Sequence, residues 1–115
     1  MKGSVSAETY FHVVGQLSRW PSKVEMASLL RKAGLRICVG SYSIRIEDCT
    51  HFVIQEYAGD FTPYIDAHAS TIEEITRDAS LVSNVLAESG IRHRFSIYDD
   101  YDVCVGYVHH DWPQT

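Results

Sequence analysis

The sequence predicts an α+β fold in which helices pack on one face of a mostly antiparallel sheet of four to five strands. Two segments begin with a serine–glutamate capping box and end at a glycine, which is typical of helices. After each glycine, apolar and polar residues alternate, as in half-buried strands. The length of 115 residues fits one domain, so we predict a single domain over residues 1–115 with the order α-α-β-β-β-α-β-β.

The N-terminal segment, residues 6–18, is the least distinct element. Its apolar residues follow a helical spacing from Tyr10 to Leu17, and Ser6 can cap such a helix. The part from Tyr10 to Val14 is also rich in β-forming residues. We expect a helix. A strand here would bring the order close to a ferredoxin-like βαββαβ arrangement with one strand added.

The second and third helices have matching signals at both ends. Ser22 and Ser70 each stand three residues before a glutamate, so each can cap a helix N-terminus. Gly34 and Gly90 suit the left-handed conformation that closes a helix, and the apolar residue after each is placed to form a Schellman motif.

A hairpin is predicted after each glycine, which gives two helix–Gly–hairpin units. The first has a strand over 35–46 with a β-bulge at Gly40 and a return strand over 51–57. The second runs from Ile91 through an acidic turn to Val108. A short strand over 62–69 is expected at a sheet edge, because the proline at its start cannot donate a ladder hydrogen bond.

The net charge of −5 excludes a uniformly basic nucleic-acid coat. The charge is divided unevenly: residues 1–46 hold seven basic and two acidic groups, whereas residues 47–115 hold three basic and thirteen acidic groups. No apolar run approaches the roughly 20 residues of a membrane span, and the start has no apolar signal segment. Three cysteines without a C-x-x-C pair suit a reducing environment, so we expect a cytoplasmic protein that does not enter a membrane.

The cysteines and histidines are the residues from which an enzyme would be built. Cys49 and His51 are the best local ligand pair, but the spacing fixes no further ligands, and whether Cys49, His51, His93, His109 and His110 converge is left open. His93 lies on the apolar side of its strand and is interpreted as a core histidine bonded to a backbone carbonyl or a tyrosine.

No phosphate-binding glycine loop or nucleophile elbow is present. We therefore expect no cofactor, no metal and no catalytic residue. The enzyme alternative is a small metal- or thiol-dependent hydrolase built on Cys49, His51 and His110.

Basic residues suggest a second function class, nucleic-acid binding. Arg36, Arg92 and Arg94 would form a local basic strip if the two hairpins were neighbours in the sheet. The net charge disfavours this alternative.

The favoured interpretation is a protein-binding module. Its predicted contact residues are acidic groups of the last turn and aromatic groups near the C-terminus, namely Asp99, Asp100, Asp102, Tyr107 and Trp112. The opposite charges of the two parts of the chain also favour a homodimer.

Residues 90–95, 97–99 and 106–113 carry a resemblance to a known class of protein. The last of these stretches reads Gly-Tyr-Val-His-His-Asp-Trp-Pro. It resembles small acidic bacterial immunity proteins, which are encoded beside secreted toxins. The resemblance implies a non-catalytic protein that binds and inhibits another protein, and it assigns no role to any single residue.

Overall fold

The fold was analysed in a computed structural model that describes residues 10–57 and 62–112. The elements are β1 (Phe11–Leu17), α1 (Lys23–Lys32), β2 (Ile37–Val39), β3 (Ser43–Ile46), β4 (Phe52–Gln55), β5 (Tyr64–Ala69), α2 (Ile72–Glu88), β6 (His93–Tyr98) and β7 (Cys104–His110). Within the described residues the strands form one antiparallel sheet in the order β2-β3-β4-β5-β1-β6-β7. The α+β class is confirmed, and the residues that the structure describes form seven strands instead of four to five and two helices instead of three.

The two helices predicted from capping boxes are present as α1 and α2, and local hydrogen bonds set their starts. Ser22 caps α1 as predicted, because its side chain accepts a hydrogen bond of 3.1 Å from the backbone N–H of Glu25. In α2 the cap is Thr71 and not Ser70. The Thr71 hydroxyl accepts from the N–H of Glu74 at 3.1 Å, so the capping box begins one residue later than predicted.

The predicted Schellman motifs close both helices. Gly34 and Gly90 have φ of 89° and 73°, a region that glycine enters without steric cost. The N–H of Leu35 donates to Leu30 O at 3.1 Å, and the equivalent bond to Leu86 O after α2 is 2.9 Å.

The predicted N-terminal helix is wrong, and the strand alternative holds. Val13 is 4% exposed and Val14 is 49% exposed, so the two sides of β1 alternate as in a strand. β1 lies between β5 and β6, where Gly15 leaves room for side chains from both neighbours: a Cβ here would come within 2.5 Å of Ile65 Cδ1. Ser6, the predicted cap, lies outside the described residues.

The predicted single strand over 35–46 is also wrong. The chain reverses at Gly40, whose N–H donates to Ser43 O at 2.8 Å, and β2 and β3 form a hairpin of their own. The change of side-chain parity that suggested a bulge therefore marks a turn. β4 pairs with β3 as predicted.

β5 is an inner strand between β4 and β1, so its predicted edge position is wrong. Pro63 precedes the first residue of the strand, where the missing N–H removes no ladder bond. The hairpin of β6 and β7 is confirmed. The two helix–Gly–hairpin units lie at opposite ends of the sheet.

The core lies between one face of the sheet and both helices. Met26 and Leu30 of α1 and Ile75 and Leu86 of α2 are buried in one cluster with strand residues such as Phe95. Along β5 and β6 alternate residues enter this core. The side chains between them point to the other side of the sheet, which the described helices do not cover.

Candidate functional site: the open face of the sheet

We call the surface of the sheet that the described helices leave uncovered the open face. It carries the strand residues whose parity is opposite to that of the core. Tyr64 of β5 and Tyr107 of β7 are 52% and 41% exposed on it. A sheet face with large exposed side chains on several adjacent strands is a candidate binding surface, because single exposed apolar residues are normal but groups of them are not.

Aromatic rings and imidazoles lie at one end of the inner strands on this face and again on β7, and we call them the aromatic band. Tyr10 packs edge-on against His68 at 6.0 Å, and His51 stacks on His68 at 4.1 Å between ring centroids. His12, which is paired with His68 in the sheet, stacks on Tyr98 at 5.7 Å. The band continues to β7, where the rings of Tyr107 and His109 stack at 4.7 Å.

Three residues of the open face form a smaller group, which we call the His–Asp cluster. Asp66 and His68 are two residues apart on β5 and therefore point to the same side. His51 directly precedes β4, and its carbonyl accepts the N–H of His68 at 3.2 Å. His51 Nε2 is 3.5 Å from Asp66 Oδ2. Potential ligand atoms of all three residues lie within 4.8 Å of one another.

His51 is among the candidates that the sequence suggests, whereas Asp66 and His68 are not. The pattern Asp-x-His in a strand was a usable signal, since such residues share a face. The pairing of β4 with β5 that brings His51 beside His68 is not encoded in any short motif.

The predicted protein-contact residues are distributed over the last hairpin. Tyr107 is on the open face, and the Trp112 ring lies 5.4 Å from the guanidinium of Arg94, which is on the same face. The three aspartates are at the opposite end of the hairpin, in the turn between β6 and β7.

Two of these aspartates also have structural roles. Asp99 Oδ1 accepts the N–H groups of Tyr101 at 2.8 Å and Val103 at 3.0 Å and so closes the turn. The Asp100 carboxylate accepts the N–H of Tyr10 at 3.1 Å. Asp102 is exposed.

The predicted basic strip is not formed, because the two hairpins are not neighbours. Arg36 precedes β2 and Arg92 precedes β6, five inter-strand spacings away, or about 24 Å. Arg36 forms an ion pair with Asp48 at 2.9 Å. The pKa of Asp48 is lowered, mainly by the hydrogen bond from the backbone N–H of Arg36 and to a smaller extent by the hydrogen bond from its side chain. Arg92 donates to the carbonyl of Asp111 at 3.0 Å, and Arg94 donates to the side chain of Gln16.

Cys49, His51 and His110 are not brought together. Cys49 faces α2, with Sγ 4.0 Å from the carbonyl oxygen of Asp78, while His51 lies on the open face. Burial, reinforced by the negative charge of Asp78, raises the pKa of the Cys49 thiol to about 12. The thiol is therefore a poor nucleophile and a poor metal ligand near neutral pH.

His93 is the core histidine that the sequence predicted, and its partner is a backbone carbonyl. Its Nδ1 is 2.8 Å from Ile91 O, and its Nε2 is 2.6 Å from the hydroxyl of Ser83. Burial lowers the pKa of His93, so we assign a neutral ring that donates through Nδ1 and accepts from Ser83. The side chain is fully buried, so a substrate cannot reach this Ser–His pair.

His93 and His110 face the helix side of the sheet with centroids 6.0 Å apart, while His109 is on the open face. The five cysteine and histidine side chains whose convergence the sequence left open therefore do not form one site.

Comparisons with family models, curated proteins and solved structures found no match to this chain. Among the described residues, no helix is long and apolar enough to cross a bilayer.

Proposed function

We propose that the protein is a non-catalytic binding protein that engages a partner protein through the open face. The observation that carries this proposal is the aromatic band, which is partly exposed on a sheet whose opposite side packs against both described helices. The partner chemistry that fits is a protein surface with apolar groups facing the band and basic groups facing the acidic turn. An inhibitor of the immunity type is the specific form that the resemblance of the C-terminal stretches suggests.

The rings of the aromatic band suit a protein interface. Tyrosine offers a large contact area with few rotatable bonds, so little side-chain entropy is lost on binding. The backbones of these residues lie in strands of the sheet or directly before them, and several rings are also fixed by stacking, as His12 is on Tyr98. Such preorganisation lowers the cost of association.

The charge distribution favours a basic protein over a nucleic acid. Asp100 and Asp102 are exposed at one end of the last hairpin, and the chain carries a net charge of −5. Phosphate binding needs several cations close together. Arg45 of β3 and Arg94 of β6, the arginines in the strands of the described open face, lie four inter-strand spacings apart.

The test uses the full chain as bait in a lysate of its native host, with crosslinking, followed by affinity measurement with the purified partner. Tyr107→Ala alters the open face, while Tyr42→Ala is the matched control because Tyr42 is 65% exposed at the turn between β2 and β3. We expect Tyr107→Ala to weaken binding by roughly 30-fold, the effect of losing a side chain worth about 2 kcal/mol at the interface centre. The Tyr42→Ala variant should bind like the wild type.

Three results would overturn the proposal. The first is a failure to capture any protein other than the chain itself, which in combination with a dimeric mass would assign the open face to a second copy. The second is equal affinity of the wild-type and Tyr107→Ala chains for the identified partner. The third is capture of RNA or DNA in a strongly salt-dependent manner.

A further inference from the structure

The His–Asp cluster has the donor set of a transition-metal site. His51, Asp66 and His68 present two imidazoles and one carboxylate from adjacent positions of one sheet, and each side chain is partly accessible. The exposed fractions of the His51 and Asp66 side chains are 23% and 44%, so an ion can reach them from solvent. Because the backbones are held by β5 and its neighbours, the three donors are near one another before any ion binds.

One donor–donor distance in the cluster is already close to what a tetrahedral ion requires. Donor atoms 2.0–2.2 Å from a tetrahedral zinc lie roughly 3.3 Å from one another. His51 Nε2 and Asp66 Oδ2 are 3.5 Å apart, which is close to this value. The donors of all three residues lie within 4.8 Å of one another, so the third has to move closer to complete the site.

We propose that His51, Asp66 and His68 bind one divalent transition-metal ion of the zinc type. Two imidazole nitrogens favour zinc, copper, nickel or cobalt over calcium and magnesium, which prefer oxygen donors. Three protein ligands leave at least one coordination position to water on the open face. The site does not depend on the proposed protein partner, because all its ligands come from this chain.

Two features of the cluster shape its chemistry. The rings of His51 and His68 are stacked with planes 16° apart, so the His68 ring turns out of the stack when its nitrogen lone pair meets the ion. The guanidinium of Arg45, 3.5 Å from His51 Nδ1, places a positive charge next to the ion. Arg45 therefore weakens metal binding, and its removal strengthens it.

The experiment is a titration of the chelator-treated full chain with Zn²⁺ by calorimetry, and with Co²⁺ by visible absorption. We expect one ion per chain, with release on acidification because protons compete for the imidazole nitrogens. The variants are His68→Ala and Asp66→Asn. The matched control is His109→Ala, which removes an exposed imidazole of the same face outside the cluster.

Loss of a ligand should weaken Zn²⁺ binding by at least the roughly 10–100-fold that loss of an outer-shell partner produces. His109→Ala should bind like the wild type, and Arg45→Gln should bind more tightly. Circular dichroism checks that each variant is folded, and Asp66→Asn preserves side-chain size if His68→Ala fails to fold.

The proposal is overturned if no saturable binding of one equivalent is found, or if His68→Ala and Asp66→Asn bind like the wild type. Weaker binding by Arg45→Gln would also contradict the placement of the ion beside His51. None of these measurements uses a partner protein, so this proposal and the proposed function can fail separately.

Discussion

Asp78 joins α2 to the turn before β4, and its removal is expected to destabilise the protein strongly. The side chain is fully buried. Its Oδ2 accepts the backbone N–H of Thr50 at 2.8 Å, and its Oδ1 is 3.0 Å from Arg77 Nη2. In Asp78→Ala the N–H of Thr50 loses its acceptor in a part-buried place, and a small cavity is left.

The magnitude follows from these contacts. A hydrogen bond to a charged group contributes about 1.5–3 kcal/mol. Arg77 is largely exposed, so solvent screens its ion pair and we assign that pair little weight. With the lost packing of the removed atoms, Asp78→Ala should lower the free energy of unfolding by about 2–4 kcal/mol. Asp78→Asn keeps an oxygen acceptor for Thr50 and should lose about half as much.

The assay is urea unfolding at pH 7, followed by far-UV circular dichroism. Asn84→Ala is the control, since Asn84 is an exposed residue of the same helix and its change should stay within about 0.5 kcal/mol. If Asp78→Ala is no more destabilising than Asn84→Ala, then the hydrogen bond between Thr50 and Asp78 does not stabilise the fold, and the prediction is wrong.

Three further predictions concern Gly15, His93 and Cys49. Gly15→Ala should destabilise the fold by about 1–3 kcal/mol in urea unfolding, because its Cβ would lie 2.5 Å from Ile65 Cδ1; an unchanged midpoint would contradict this packing. The pKa of His93 is lower in the folded than in the unfolded chain. Its contribution to the free energy of unfolding is therefore complete above the unfolded pKa of about 6.5, and it is lost as the pH falls toward the folded pKa. Urea curves should show a slope of up to about 1.4 kcal/mol per pH unit below pH 6.5 that is absent from His93→Gln; equal slopes would refute the assignment. Burial raises the pKa of Cys49 to about 12 and keeps its thiol protonated at pH 8, so a thiol reagent should label the two exposed cysteines quickly and Cys49 only after unfolding.

Features with local causes could be predicted from the sequence. The cap at Ser22 and the glycine ends of both helices depend on residues within five positions of one another, and they formed as expected. The hairpin of β6 and β7 was also found, because both strands and their acidic turn are consecutive. The core position of His93 followed from the alternation along one strand.

Features that depend on distant parts of the chain could not be predicted. Val13 and Val14 fit both helical and strand patterns, and β1 is a strand because β5 and β6 pair with it on both sides. The sequence predicts a bulge at Gly40, where the chain in fact turns. A β-bulge and a turn shift the alternation of apolar and polar side chains in the same way.

Contacts between distant parts of the chain also limited the prediction of the candidate site. Tyr107 is predicted as a contact residue from its residue type alone, and it lies on the open face. The grouping of His51 with Asp66 and His68 needs the pairing of β4 with β5, and Cys49, the ligand favoured by spacing, faces the opposite side.

The position of β1 has a consequence for the order in which the protein folds. β1 precedes all other described elements in the chain, yet its partners are β5 and β6, so the strand that joins the two parts of the sheet is synthesised long before either neighbour. β2 to β5 can pair as a local meander, and β6 with β7 as a local hairpin. Only the insertion of β1 between them makes one sheet, and the loop closures that this requires slow folding. We therefore expect the continuity of the aromatic band to be acquired last, because Tyr98 and His68 lie on opposite sides of that strand.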